Sequence, residues 1–321
     1  MVDKVFKDSD CIILLYHGVT IENADGIENY SGKHIHYNNF EKHMRYLREY
    51  TNPIRLSDIV QSIKQGKEIP SRSVAITFDD GFQNNFSVAF PILRKYEIPA
   101  TFYLSTGFIG TNRLFWVDEV EGLIRLTRKR NVNIRVKDKE KNFFLDDKEK
   151  KIKAIREIKE EMKLISNEDK DFILKDLRKK LDVVPENIRE SAMNYKTMSW
   201  DEVREMNKEP LIEFGCHTIN HVILSQVSED VCEREIVESK RKLEQELDRE
   251  VDLFSYPEGR RGDFNMSVIS TLKKAGFQSS PTADWGWNKI PNTDPFYLHR
   301  IMVGFEGISF PQYENIQCIP R

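Results

Sequence analysis

The sequence has no paired cysteines, no long apolar run and no surplus of positive charge, and each absence removes a class of protein. Its four cysteines, Cys11, Cys216, Cys232 and Cys318, are scattered and form no CxxC pair. They read as buried, idle thiols, and nothing about them requires an oxidising compartment. No apolar stretch approaches the length of a membrane span. Residues 1–10 are polar and charged, and the apolar run from Cys11 to Tyr16 is too short for the core of a secretion signal, so the chain is expected in the cytoplasm. With 49 Lys and Arg against 52 Asp and Glu, the formal net charge is -3. That leaves no excess of cations to neutralise a phosphate backbone, and nucleic acid is not an expected partner. No internal repeat and no low-complexity tract stands out.

What remains is a chain of 321 residues with 39% hydrophobic content. That is enough for one large domain, alone or carrying an insertion. Short apolar runs, Ile12–Tyr16, Val74–Phe78, Ala100–Leu104, Ile212–Cys216 and Leu253–Tyr256, have the length of buried strands. Amphipathic stretches lie between them: Phe86, Ala89, Phe90 and Leu93 share one helical face, and so do Cys232, Ile236, Leu243 and Leu247. This alternation predicts a parallel α/β architecture, and periodicity alone does not choose between an open sheet and a barrel. Residues from about 112 to 197 break the rhythm. They are rich in Lys and Glu, with one helical stripe at Ile152, Ile155, Ile158, Met162 and Ile165 and another at Leu174, Leu177 and Leu181. The expectation is a single domain over 1–321 with a helical insertion at about 112–197. The start of the insertion, Leu114-Phe115-Trp116-Val117-Asp118, either lines a pocket or anchors the insert.

Two motifs carry chemistry. Thr77-Phe78-Asp79-Asp80-Gly81 closes the apolar strand Val74-Ala75-Ile76. In parallel α/β folds active sites form at the C-terminal ends of strands. Adjacent carboxylates there repel unless a cation or a shared proton relieves them, although an ordinary helix cap would also use an Asp. The second motif, His217-Thr218-Ile219-Asn220-His221, follows the strand Ile212–Cys216. Histidines four apart can reach one point from a turn, and neutral imidazoles with one carboxylate suit a catalytic zinc that keeps a position open. An HxxxH alone is common on helix surfaces. Behind a buried strand, with Asp-Asp behind another, the joint reading favours a divalent metal site, most simply Zn2+.

Both motifs, intact and in this order, make the sequence resemble the polysaccharide deacetylase family, carbohydrate esterase family 4. Supporting matches are Leu15-Tyr16-His17-Gly18-Val19, Phe254-Ser255-Tyr256-Pro257-Glu258-Gly259 and Leu298-His299-Arg300-Ile301. The resemblance covers most of the chain outside the insertion. It implies a distorted, incomplete (β/α) barrel, with Asp79 as general base and Asp80, His217 and His221 as metal ligands. It also implies an oxyanion donor at the backbone N–H of Glu258, and His299 as the candidate general acid.

Departures from the family pattern lie at Ser255, where the motif has an arginine, and at Glu258, where it has a tyrosine. The arginine that orients the base must then come from elsewhere: Arg260, Arg261 or Arg300, paired with Asp284 or with Asp79 itself. Strand alternation sends His299 and Arg300 to opposite faces, so one of the two points into the site. His17, at the end of the first strand, is an acid, a pocket wall or a structural histidine. Trp285, in Asp284-Trp285-Gly286-Trp287-Asn288, is a substrate platform or a packing residue. His34, His36 and His43 lie in or beside a polar segment and are expected to be solvated loop residues, with the helix start capped at Asn38-Asn39.

The expected activity is hydrolysis of an N-acyl amino sugar, with a cytosolic nucleotide- or lipid-linked sugar as substrate. The rivals are a metal-dependent amidase on a non-sugar amide and a carbohydrate-binding protein without catalysis. The insertion could mediate homo-oligomers or cover the pocket.

Overall fold

The apolar runs become the strands of a mostly parallel sheet. In the computed structural model, residues 10–22, 26–136 and 139–304 are described; Cys318 and residues 1–9 lie outside them. The sheet runs in the order Asn288–Lys289, Asp10–Tyr16, Ser73–Phe78, Ala100–Leu104, Ile212–Cys216. Ile301–Met302 pairs with the first of the long strands and Asn52–Pro53 with the second. All pairings are parallel except that of Asn288–Lys289. Residues 11–16, 73–78 and 100–104 are buried throughout. This is why these strands read as continuous apolar runs: a parallel sheet is covered on both faces.

Beyond Cys216 the ladder thins to single bridges, Cys216 to Phe254, Leu253 to Ser279 and Pro281 to Leu298. These lead back to Ile301–Met302 beside the first strand. The result is a distorted, incomplete (β/α) barrel. The expected strand at Leu253–Tyr256 is therefore only a bridged, extended segment, because its neighbours on both sides leave the ladder after one pair.

The chain divides into two compact units. The first comprises Met1–Ile21, Ser31–Thr111 and Thr197–Arg321, and the second Glu22–Tyr30 and Asn112–Lys196. In the first, the helix Glu229–Leu247 buries Cys232, Ile236, Leu243 and Leu247 along one face. The face of Phe86, Ala89, Phe90 and Leu93 starts as a π-helical turn, Asn85–Ala89, and continues as the α-helix Phe90–Tyr96. Wider turns of this kind recur at functional sites, and this one brings both Asn84 and Asn85 into the interior.

The second unit holds the helices Trp116–Leu126, Lys148–Lys163, Asn167–Leu181 and Pro185–Ser191. It also has an antiparallel hairpin, Asn131–Val136 with Lys139–Phe144, that the helical stripes gave no sign of. Along the hairpin's first strand Val132, Ile134 and Val136 alternate inward. Ile155, Ile158, Met162, Leu174, Leu177 and Leu181 form the unit's core as their spacing predicts. Phe115 is buried and Trp116 packs on that core under Lys170, so the aromatic start of this segment anchors the unit. Gly122 is required because a Cβ there would lie 2.3 Å from Ile188 Cγ2. The segment 26–30 is tied in by buried Glu121, whose carboxylate accepts from Asn29 N (2.8 Å), Tyr195 Oη (2.7 Å) and Lys159 Nζ (3.1 Å).

Candidate metal and catalytic centre

The turn after strand Ser73–Phe78 aims two neighbouring carboxylates in different directions. Asp80 and Gly81 both adopt positive φ, 78° and 87°. The second suits only glycine, and a Cβ there would also meet Ile109 Cδ1 at 2.7 Å. The backbone therefore reverses sharply, with Gly81 N bonded to Asp79 O at 3.1 Å.

Asp79 meets a guanidinium. Arg300 Nη1 and Nη2 donate to Asp79 Oδ1 and Oδ2, each at 2.8 Å. Arg300 is itself fixed by Nε donating to Thr282 O (2.7 Å), Nη1 to Thr77 Oγ1 (3.3 Å) and Nη2 to Ser255 Oγ (3.0 Å). Both partners are buried. Burial would raise the Asp79 pKa, but Arg300 and the neighbouring imidazoles win and hold it below its ordinary value. Such a bidentate fork fixes both orientation and ionisation. Of the three arginines open to this role, Arg300 takes it and pairs with Asp79. Arg260 and Arg261 are exposed, and Asp284 receives Arg300's backbone N–H on its carbonyl at 3.1 Å. Ser255 explains the exchange: where the family motif places an arginine, a small hydroxyl leaves room for one arriving from residue 300.

Asp80 meets imidazoles. His221 Nε2 lies 3.3 Å and His217 Nε2 3.6 Å from Asp80 Oδ1. Asp80, His217 and His221 form a set whose ligand atoms all fall within 4.8 Å of one another. His217 donates from Nδ1 to Ser255 O at 2.7 Å, which leaves Nε2 with its lone pair facing Asp80. Burial lowers the His217 pKa to about 4, so this imidazole is neutral at ordinary pH. For His221 burial works downward too, but the contact with Asp80 outweighs it and the net shift is upward. Asp80 Oδ1 is buried and has no well-directed hydrogen-bond donor. A buried oxygen left this way is costly unless something else compensates it. A divalent cation among these three residues fits that need, and the donor set of two imidazoles and one carboxylate suits zinc.

Around this pair the other predicted residues are placed as follows. His17 is half-buried at the end of the first strand, and the charges of Asp80 and Asp79 act on it while burial lowers its pKa. Glu258 adopts φ 58° in the turn before Gly259, and its charge reaches His221. His299 is half-buried, with its backbone N–H and C=O both bonded to the Asn288 side chain. Its ring lies so close to Gly286 that a Cβ there would come within 3.0 Å of it. Trp285 is 44% exposed and packs edge-on against Trp287 at 4.9 Å between centroids.

The polar segment around residue 34 behaves differently from expectation. His34 is buried, in the short strand His34–His36, with Nδ1 accepting from Asn84 Nδ2 at 2.9 Å. His43 is buried too and bonded to Tyr16 Oη. His36, not Asn38 or Asn39, caps the helix Tyr37–Tyr50. A strand of three residues is too short to leave an apolar run, so the sequence concealed it. The three described cysteines are free and buried, and burial pushes the Cys11 and Cys216 thiols up to about 12.

One participant left no motif. Glu235 is buried on the helix Glu229–Leu247 and its carboxylate accepts from the backbone N–H groups of Ile219 and Asn220. The available signal was periodicity: Glu235 falls on the same helical face as Cys232, Ile236 and Ser239, where an acid is out of place.

The sequence matches the polysaccharide deacetylase family over residues 66–173 and 176–280. The chain belongs to that family. It is 31% identical over 127 residues to the poly-β-1,6-N-acetyl-D-glucosamine N-deacetylase of Staphylococcus aureus, a stretch covering 36% of this chain and 42% of that protein. The match thus spans less than half of that relative. With Bacillus subtilis YxkH it shares 20% identity over 97% of its own length and 78% of the other's. Among solved structures, the Streptococcus pyogenes deacetylase PplD in complex with acetate aligns with a TM-score of 0.61 at 18% identity, covering 94% of this chain and 96% of the other. IcaB from Ammonifex degensii aligns at 0.60 and 17%, covering 92% and 93%. At such identities these two likenesses concern the fold.

Proposed function

We propose that this protein is a metal-dependent hydrolase that removes the acetyl group from an N-acetyl amino sugar. The observation that carries the reading is the division of labour between Asp79 and Asp80: one is locked ionised by Arg300, the next faces two imidazole nitrogens. A divalent ion such as zinc, held by Asp80, His217 and His221, supplies Lewis acidity and a water that is easier to deprotonate.

The chain's own residues do the rest. Asp79 accepts the proton of the attacking water, and Arg300 keeps both carboxylate oxygens oriented for it. The backbone N–H of Glu258 is the candidate donor to the oxygen that gains charge at the acyl carbon. Arg300 takes the inward face, so the alternation of this segment turns His299, its ring against Gly286, away from the site, and it is not the acid. His17, at the end of the first strand beside the charges of Asp80 and Asp79, is read as a wall of the acyl pocket. Trp285 offers an exposed ring for a sugar face.

The name of the Staphylococcus aureus relative supports β-1,6-linked N-acetylglucosamine as the sugar. A nucleotide- or lipid-linked amino sugar handled in the cytoplasm, the expectation from the sequence, is the competing substrate. The test measures bound metal and released acetate together, on wild type and on Asp79→Asn. Three substrates are compared: β-1,6-linked N-acetylglucosamine oligomers, chito-oligosaccharides and a nucleotide-linked N-acetyl sugar. The expected result is metal in both proteins and acetate from the wild type alone, with the β-1,6 oligomers as best substrate. Acetate only from the nucleotide-linked sugar moves the function to the cytoplasmic substrate. Metal binding with no turnover of any sugar overturns the deacetylase reading in favour of an amidase or a binding protein.

A further inference from the structure

The turn that carries both histidines is held in a conformation it would not choose alone. Thr218 and His221 both sit at positive φ, 62° and 55°, a region that residues with a Cβ seldom occupy. Such backbone persists only where the surroundings over-determine it. Here they do so from two sides. The carbonyls of Thr218 and Ile219 accept from Thr106 N (3.1 Å) and Gly107 N (2.9 Å). On the other side, Glu235 Oε2 accepts from Ile219 N (2.9 Å) and Asn220 N (2.8 Å), and Glu235 Oε1 from Asn220 Nδ2 (2.7 Å).

Glu235 is 2% exposed. A carboxylate in that position is costly unless it is fully bonded, and its three donors all come from Ile219 and Asn220, two of the three residues between the histidines. All three of its hydrogen bonds thus go to the shape of that turn.

We propose that Glu235 is a positioning residue for metal capture. By gripping Ile219 and Asn220 it sets the separation and direction of the two Nε2 atoms so that both face Asp80 before an ion arrives. The inference rests on the reading of Asp80, His217 and His221 as a ligand set. Without the carboxylate, two backbone N–H groups lose their acceptor, the turn relaxes toward negative φ, and the imidazoles no longer converge. Hydrogen-bonding partners behind metal ligands commonly change affinity 10–100-fold when removed.

The experiment strips metal from the full-length wild type, Glu235→Ala and Glu235→Gln and titrates Zn2+ against a competing chelator. Co2+ absorption reports ligand geometry, and thermal unfolding of the metal-free proteins reports stability. Expected are a loss of Zn2+ affinity of about 10–100-fold for Glu235→Ala and an altered Co2+ spectrum. Glu235→Gln, which keeps one acceptor oxygen but sets an NH2 against a donor, should fall between the two. Acetate release by Glu235→Ala should recover in part when Zn2+ is raised to saturation, since the deficit is in holding the ion.

The proposal is overturned if both variants match wild type in affinity and spectrum while only their unfolding temperature falls; Glu235 is then a support of the fold. Should Glu235→Ala fail to fold, Glu235→Gln decides by the same readouts. A wild type that takes up no metal overturns the ligand reading and this proposal together. Metal uptake by wild type with matching variants overturns the proposal alone.

Discussion

Each of the two units buries acidic side chains, and two of them, Glu121 and Asp80, are treated in opposite ways. In the second unit Glu121 collects three donors, a backbone N–H, a phenol and an ammonium, and nothing about it is left unanswered. In the first, Asp80 is buried with an oxygen that no directed donor reaches, opposite two imidazoles. A satisfied buried acid ties segments together; one facing two imidazoles instead has the donor set that a divalent cation takes. Asp79 stands between these cases: it is fully paired, yet with a cation that leaves it ionised beside the ligand set.

The sharpest way to break this comparison is to remove the chemistry on the Asp79 and Asp80 side. His217→Ala should lose metal and abolish turnover, whereas Asp79→Asn should keep metal and lose turnover by about 10²–10⁴-fold, the usual worth of a proton-transfer group. Metal content and acetate release on the same samples check both. If Asp79→Asn also loses its metal, the two carboxylates do not have separate roles.

Next in size is Arg300→Met. Breaking a buried pair from one side costs about 3–5 kcal/mol, to be read by denaturant unfolding. The pH dependence has a definite sign. In wild type the folded-state pKa of Asp79 lies below its ordinary 3.8. Its pairing therefore stabilises fully above that value and is lost as pH falls through the lower, folded value. In the variant, burial acts without the cation and raises the pKa. Acid unfolding should then begin at higher pH, and the acid limb of kcat/KM should move toward neutrality. An unmoved limb would mean that Asp79 is not the base.

Glu121→Ala tests the other side of the comparison. It should lower the unfolding temperature, with a cost of about 1–3 kcal/mol from donors left without an acceptor, and leave Zn2+ affinity unchanged. The smallest effect is expected for Trp285→Ala. Losing one stacked ring, worth about 0.5–1.5 kcal/mol, should raise KM roughly 2- to 12-fold with kcat intact. A change in kcat instead would mean that Trp285 is not a sugar platform.

Much of this site was readable because its parts are local. Asp79 and Asp80 end one apolar run, His217 and His221 follow another, and in a parallel sheet the ends of such runs gather at one rim. The strand Ile212–Cys216 appeared with the bounds its apolar run predicted. Three features were not readable, each for its own reason. The strand His34–His36 is three residues long, and period-two alternation needs more than that to show. The hairpin of the second unit lay within a Lys- and Glu-rich stretch whose helical stripes dominate any pattern count. Glu235 carries no motif, since two of its three donors are backbone groups and backbone leaves no trace in composition.

By itself the sequence determined which residues could do chemistry and on which strands they lie, because hydrophobic period and adjacent motif residues are properties of the chain alone. Only the tertiary structure decided which arginine serves Asp79. Arg260, Arg261 and Arg300 are equal as letters. The choice falls to Arg300 because the strand Ile301–Met302 returns beside the first strand, bringing the guanidinium just before it across 221 residues of sequence to Asp79 and Ser255.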